Sequence, residues 1–121
     1  HCFVGTIDDA RLFTSYFTEI KFGFTPLITR PGTSFIDVIE QLDSTEILAE
    51  TDSPYFIPEE VIFFFLSTSE NMLRFLVFQY TRSGHPSMVY SVVETIAYIR
   101  NVSIHELAQQ LRENARTIYG I

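Results

Sequence analysis

Residues 49–67, AETDSPYFIPEEVIFFFLS, set two unlike texts side by side. The first follows a short apolar strand, Ile47-Leu48-Ala49, and carries Glu50 and Asp52 into a Ser53-Pro54 turn. Strands of an α/β fold present functional side chains at their C-terminal ends, so acids here stand where chemistry is done. Two plainer readings remain beside that one. Asp ahead of Ser-Pro is a good turn former, and Glu50 fits a solvated strand end. From Val61 the chain turns almost wholly apolar, with no acid in Val-Ile-Phe-Phe-Phe-Leu.

Working outward from this stretch gives the architecture. Upstream, "SFIDVIEQL" has helical spacing through Phe35, Val38, Ile39 and Leu42. "TRPGTS" before it is turn chemistry, with Pro31 and Gly32 as breakers. "EIKFGF" alternates Ile20, Phe22 and Phe24 as in a strand. "TIDDARLFTSYF" opens with a capping-box pattern, Thr6 and Asp9, and then repeats Leu12, Phe13, Tyr16 and Phe17 at helical spacing. Downstream, "HPSMVYSVVETIAYIRN" suits a helix burying Met88, Val92, Ile96 and Ile99, with Pro86 in its first turn. "SIHELAQQLRENARTIYG" opens with a second capping-box pattern, Ser103 and Glu106. Its apolar stripe is Ile104, Leu107, Ala108 and Leu111, and Gly120 stands at its end.

Helix, strand, helix, strand and two further helices predict an α/β fold with a parallel sheet under covering helices. Only two strands are clear, with a further strand end at "HCFVG". A sheet of that size keeps bare edges and reads as incomplete. The chain starts at His1, and its first Met is Met72, which suggests a trimmed or partial sequence.

The bulk numbers narrow the function. At 121 residues and 46% apolar, the chain suits one folded domain. The net charge of −7 shows none of the basic patch of an electrostatic nucleic-acid binder. It leaves room for a nucleic-acid enzyme, because carboxylates that hold cations also make a site acidic. Cys2 is the only cysteine, which rules out an internal disulfide and suits a reducing, intracellular setting such as cytoplasm or nucleus. "VIFFFL" and "MLRFLVF" are each too short to span a bilayer, and residues 67–71 and Arg74 interrupt the pair. No membrane partner is expected.

Two residues at strand ends could share one mouth. His1 opens "HCFVG" and Asp52 closes "EILAETD". Imidazole and carboxylate together suit Zn²⁺ or Mn²⁺, and an Asp beside a metal can act as general base. A terminal His also reads as a solvated end. His85, in "RSGHP", could edge the site or be a plain loop residue. Arg82 could meet a phosphate. His105 reads as solvated and Cys2 as packing.

"HCFVG", "GFT", "ETDSPYFIP" and "LRENARTIYGI" occur in the order and rough spacing of the C-terminal part of TatD-family metal-dependent deoxyribonucleases, which the chain resembles. The "SGHPSMVYSVVETIAYI" helix is similar to that family's penultimate segment. "HCF-x-G" alone is a weak match; "ETDSPY" after an apolar strand is far more specific. The resemblance covers nearly the whole chain except the Phe-rich stretch. It implies the last strands and C-terminal helices of a partial TIM (β/α)8 barrel of the amidohydrolase type, hydrolysing DNA phosphodiester bonds with divalent metal ions. These would be Mg, Mn or Zn, two of them in the full-length parent. On that resemblance His1 falls on a metal-ligand His. Asp52 falls on the last-strand Asp, which binds metal and contacts the attacking water, and Glu50 on a site-shaping Glu. Glu50 and Asp52 are thus the catalytic candidates, and His1 and Asp52 the metal candidates.

The departures matter equally. A full barrel runs to about 250 residues, and the family's early His-x-His pair, its central Glu and another His have no counterpart here. The chain is therefore expected to be a fragment, inactive alone. The competing expectation is a non-catalytic degenerate half-barrel or mispredicted gene product, acting if at all as an interaction module.

The Phe-rich residues 61–79 are expected to be an insertion foreign to the family. Removing them leaves "PYFIPEEYTRSGHPSMVYS", an ordinary family-like loop. Val61 and Gln79 are encodable as GT- and -AG borders, so an unspliced short intron read in frame is one account. A genuine apolar insert is the other.

Overall fold

Thr6 starts the first helix by trading hydrogen bonds with Asp9. The Asp9 N–H donates to Thr6 Oγ1 at 3.2 Å, and the Thr6 N–H donates to Asp9 Oδ2 at 2.8 Å. Both halves of the expected capping box are therefore present at the head of α1, Ile7–Tyr16. In this computed structural model the described residues are 1–30, 34–58 and 83–121. The turn expected at Pro31 and Gly32, the insertion expected at 61–79, and Arg82 lie outside them.

The face expected to be buried on α1 is not. Ala10 alone of this helix is buried, while Leu12, Phe13, Tyr16 and Phe17 are exposed, Tyr16 by 76%. Helical period says which side chains share a face; burial also needs something to pack there. The core takes up α1 through Ala10 and Ile7 instead.

Two strands follow, β1 (Phe22–Phe24) and β2 (Ile47–Ala49), paired in parallel with Phe22 opposite Ile47 and Phe24 opposite Ala49. Ile20 falls outside β1, and all three β1 residues are buried rather than alternating. Strands covered on both faces are the rule in parallel sheets, because the crossover helices sit on the faces. The ladder runs on past β2, where the Glu50 N–H donates to Phe24 O at 2.9 Å. On the other side of β1 the Phe3 N–H donates to Gly23 O at 2.7 Å. The Phe3 ring stands edge-on to Phe22 with centroids 4.8 Å apart. "HCFVG" thus runs beside β1 without becoming a strand, and among the described residues the sheet is two-stranded and open.

Between the strands, α2 (Phe35–Gln41) buries Phe35, Val38 and Ile39, and Leu42 just past it is buried too. Its exposed last carbonyls need partners. Arg100 supplies them, donating to Ile39 O at 2.7 Å and Leu42 O at 2.8 Å.

A 3₁₀ turn at Pro86–Met88 leads into α3 (Val89–Arg100), so Pro86 opens the turn ahead of the helix rather than the helix itself. Val92, Ile96 and Ala97 are its buried residues, with Met88 and Ile99 half-buried. Asn101 at φ 52° stops it in the left-handed conformation. Then α4, Ile104–Tyr119, begins at Ser103, whose hydroxyl oxygen accepts the Glu106 N–H at 3.1 Å. The Glu106 carboxylate takes the Ser103 hydroxyl at 3.0 Å, so only half of the second capping box forms. Leu107, Leu111 and Asn114 are buried, whereas Ala108 of the expected stripe is exposed. Gly120, at φ 66°, terminates the helix as expected.

Both late helices pack on β2, and α3 also packs on α2. Phe24, Ile39, Ile47, Ile96, Val38 and Val92 are fully buried. Each such side chain contributes about 1.5–3 kcal/mol. No helix among the described residues is long and apolar enough to cross a membrane.

Candidate active site

The start of the chain and the segment just past the end of β2 bring His1, Glu50 and Asp52 together. His1 Nδ1 lies 3.1 Å from Glu50 Oε2, and His1 Nε2 lies 3.6 Å from Asp52 Oδ1. Both carboxylates are partly buried while the imidazole is largely exposed. All three candidates taken from the sequence therefore stand in one cluster.

Backbone geometry aims them. Cys2 at φ 45° and Asp52 at φ 48° are in the left-handed region, uncommon for residues with a Cβ. At Cys2 the turn directs the main-chain N–H onto Glu50 Oε1. Glu50 thus engages one partner on each oxygen, both from the first two residues of "HCFVG". Asp52 sits three residues beyond β2, and its carbonyl accepts the Tyr55 N–H at 3.0 Å across the turn. The Asp52 backbone makes the turn, as its turn-former reading expects, while its carboxylate faces His1.

Gly23 explains why Glu50 can lie where it does. A Cβ there would stand 2.6 Å from Glu50 Oε1. Thr25, also buried, lies with Oγ1 3.7 Å from Cys2 Sγ and accepts the Leu27 N–H at 3.5 Å to start the 3₁₀ turn Pro26–Thr29. "GFT" thus supplies space, core and cap in three successive residues. In the sequence alone this tripeptide reads only as a landmark. A glycine in the middle of an apolar strand was the signal that another group approaches the backbone there.

The remaining candidates have local work. His85 Nδ1 accepts the Ser87 N–H at 3.2 Å and lies 2.8 Å from Ser87 Oγ, so its side chain caps the Pro86–Met88 turn. His105 is exposed, 3.1 Å from Gln109 Nε2. Cys2 is partly buried, with its thiol toward Thr25.

The donors fit a divalent ion as a pair. Metal–ligand bonds of about 2.1 Å place two tetrahedral donors about 3.4 Å apart, close to the 3.6 Å between His1 Nε2 and Asp52 Oδ1. Glu50 has both oxygens engaged. Among the described residues no group of three or more His, Cys, Asp or Glu is placed to hold a metal.

The TatD related DNase family model matches residues 1–120. The chain belongs to this family. It is 29% identical to a putative deoxyribonuclease TATDN1 homolog of Vairimorpha ceranae, across 99% of this chain and 42% of that protein. With the human 3'-5' RNA nuclease TATDN2 it shares 25% identity, across 100% of this chain and 14% of that protein. With the 3'-5' ssDNA/RNA exonuclease TatD of Pantoea vagans it shares 26%, across 100% and 41%. A TatD homologue from Escherichia coli K12 superimposes with a TM-score of 0.74 at 23% identity, over 100% of this chain and 39% of that one. A TatD family hydrolase from Entamoeba histolytica does so with 0.68 at 19%, over 96% and 40%. The two-stranded open sheet and its trailing helices are thus a part of a TatD-type barrel. The chain spans less than half the length of these relatives.

Proposed function

We propose that the chain is the C-terminal part of a divalent-metal-dependent deoxyribonuclease that hydrolyses DNA phosphodiester bonds, and that it lacks the ligands to do so alone. The observation that carries this is the convergence of His1 and Asp52 beyond the end of β2, 3.6 Å apart, in a chain of the TatD family. His1 Nε2 and Asp52 Oδ1 would hold one Mg, Mn or Zn ion, one of two in the complete protein. A bound ion would supply Lewis acidity and a more acidic water. Asp52 would orient a water there and serve as its proton acceptor, while Glu50 holds His1 and the main chain at Cys2. The single cysteine supports an intracellular setting. We read residues 61–79 as foreign to the family fold.

The test is hydrolysis of single- and double-stranded DNA, and of RNA, by the purified chain with Mg²⁺, Mn²⁺ or Zn²⁺. No turnover above that of Asp52→Ala is expected. Robust metal-dependent cleavage lost in Asp52→Ala would overturn the incompleteness of the chain. Mn²⁺ binding read by electron paramagnetic resonance should be weak and should fall in His1→Ala and Asp52→Ala. Binding unchanged in both variants would remove the proposed site.

A second reading, an interaction module without catalysis, is favoured by the exposed Leu12, Phe13 and Tyr16 of α1 and Phe17 just past it. An open cleft of about 250 Å³ beside β2, lined in part by Leu48, Ala49, Val93 and Leu111, points the same way. A monomeric chain that melts cooperatively in size-exclusion and circular dichroism experiments would count against it.

A further inference from the structure

We infer that Glu50 is a positioning residue that fixes the tautomer of His1, keeping the proton on Nδ1 and presenting a bare Nε2 toward Asp52. The inference rests on the proposed site for its purpose, but its geometry stands without any metal.

A neutral imidazole carries one proton, and the hydrogen bond made by one nitrogen decides the state of the other. The two candidate acceptors are not equivalent. Glu50 Oε2 is at hydrogen-bond distance from Nδ1, 3.1 Å, while Asp52 Oδ1 at 3.6 Å from Nε2 is beyond it. The proton therefore belongs on Nδ1. Glu50 in turn is held in place. Its other oxygen accepts the Cys2 N–H, and the carboxylate lies over Gly23, where no side chain competes for the space. Carboxylate–histidine pairs of this kind orient a ligating ring and raise its basicity. Here the partner arises from the same strand end as Asp52, so one short segment supplies both the ligand and the group that aims its neighbour.

Substitution by Gln makes the idea testable. Glu50 accepts on both oxygens, whereas an amide accepts on one side and donates on the other. In Glu50→Gln the Cys2 N–H demands the carbonyl oxygen, which leaves the NH₂ facing His1 Nδ1. Nδ1 then has to accept, and the proton moves to Nε2. The variant keeps the size of the side chain and reverses the polarity of one contact.

The experiment is imidazole ¹⁵N and ¹³C chemical shifts on the purified 121-residue chain without metal, at alkaline pH where the imidazole is neutral. The parent is expected to hold His1 mainly as Nδ1–H, against the Nε2–H preference of free histidine. Glu50→Gln should invert the ratio to mainly Nε2–H. Asp52→Asn, which leaves the Nδ1 contact alone, should keep Nδ1–H. Gly23→Ala, which displaces the carboxylate by another route, should release His1 to the free-histidine preference and serves if Glu50→Gln does not fold. A parent that is mainly Nε2–H overturns the inference, as does Nδ1–H persisting in both Glu50→Gln and Gly23→Ala. Loss of Mn²⁺ binding in every form would sink the metal reading and leave these shifts unaffected.

Discussion

Gly23 lies against the Glu50 carboxylate so closely that a Cβ at Gly23 would meet Oε1 at 2.6 Å and Cδ at 2.8 Å. A strand residue buried on β1 and an acid three residues after Ile47 thus share one space. In Gly23→Ala the carboxylate has to swing aside, because it is the mobile end of a side chain and the backbone is not. The cost is the loss of the His1 and Cys2 hydrogen bonds, about 1–3 kcal/mol together. Thermal melts should record a destabilisation of that order. Amide shifts at residues 2 and 3 should move while those of α4 hold.

Asn114 joins α4 to the start of β2. Its Nδ2 donates to Ser44 O and to Ile47 O, both at 2.7 Å, and its Oδ1 accepts from Gln110 Nε2 at 2.8 Å. It is buried, so Asn114→Ala leaves the Ile47 carbonyl without that donor in the core, at a cost of about 1–3 kcal/mol. Asn114→Asp should be worse, since an acceptor-only group would face two carbonyls. Denaturant midpoints of the three proteins should fall in the order parent, Ala, Asp.

Acid should loosen the head of α1. The backbone N–H of Thr6, and then its hydroxyl, hold the Asp9 carboxyl below the ordinary aspartate range. A carboxyl whose pKa is lowered by folding contributes fully above its unfolded value and loses that contribution as pH falls through its folded value. The hydroxyl and N–H of Thr45 do the same for Asp43. Amide signals of residues 7–10 followed through acid pH should show the cap opening. Asp9→Asn should remove that pH dependence and leave the neutral-pH spectrum of α3 unchanged.

Deleting residues 61–79 should leave the fold standing. The described flanks are already tied together, with the Gly84 N–H on Pro54 O at 2.7 Å. Gly84 sits so tightly on Phe56 that a Cβ would lie 2.3 Å from its carbonyl oxygen. Shortening a closed loop changes its closure entropy by only about 0.6 kcal/mol per halving. The deletion variant should melt within about 1 kcal/mol of the parent and keep the His1–Glu50 contact. Loss of cooperative melting would show that the segment belongs to the fold.

The sequence by itself determined what depends on neighbours within a few residues. The Thr6–Asp9 box, the Gly120 stop and the acids at the end of β2 were legible because each is a hydrogen-bonding or backbone preference of near neighbours. The apolar periods gave Val38, Ile39, Val92, Ile96 and Leu107 as core, and all are buried. Tertiary structure alone decided which faces found partners. Leu12 and Phe13 share the spacing of buried residues and are exposed, whereas polar Asn114 is buried because two carbonyls await it. It also decided which of the candidate residues meet. The motif match named His1, Glu50 and Asp52 separately, but parallel pairing of β1 with β2, with "HCFVG" alongside, is what set an imidazole 3.1 Å from one acid and 3.6 Å from the other. Residues so far apart in the chain meet only through the register of the sheet, and that register is fixed by the burial of both strands at once.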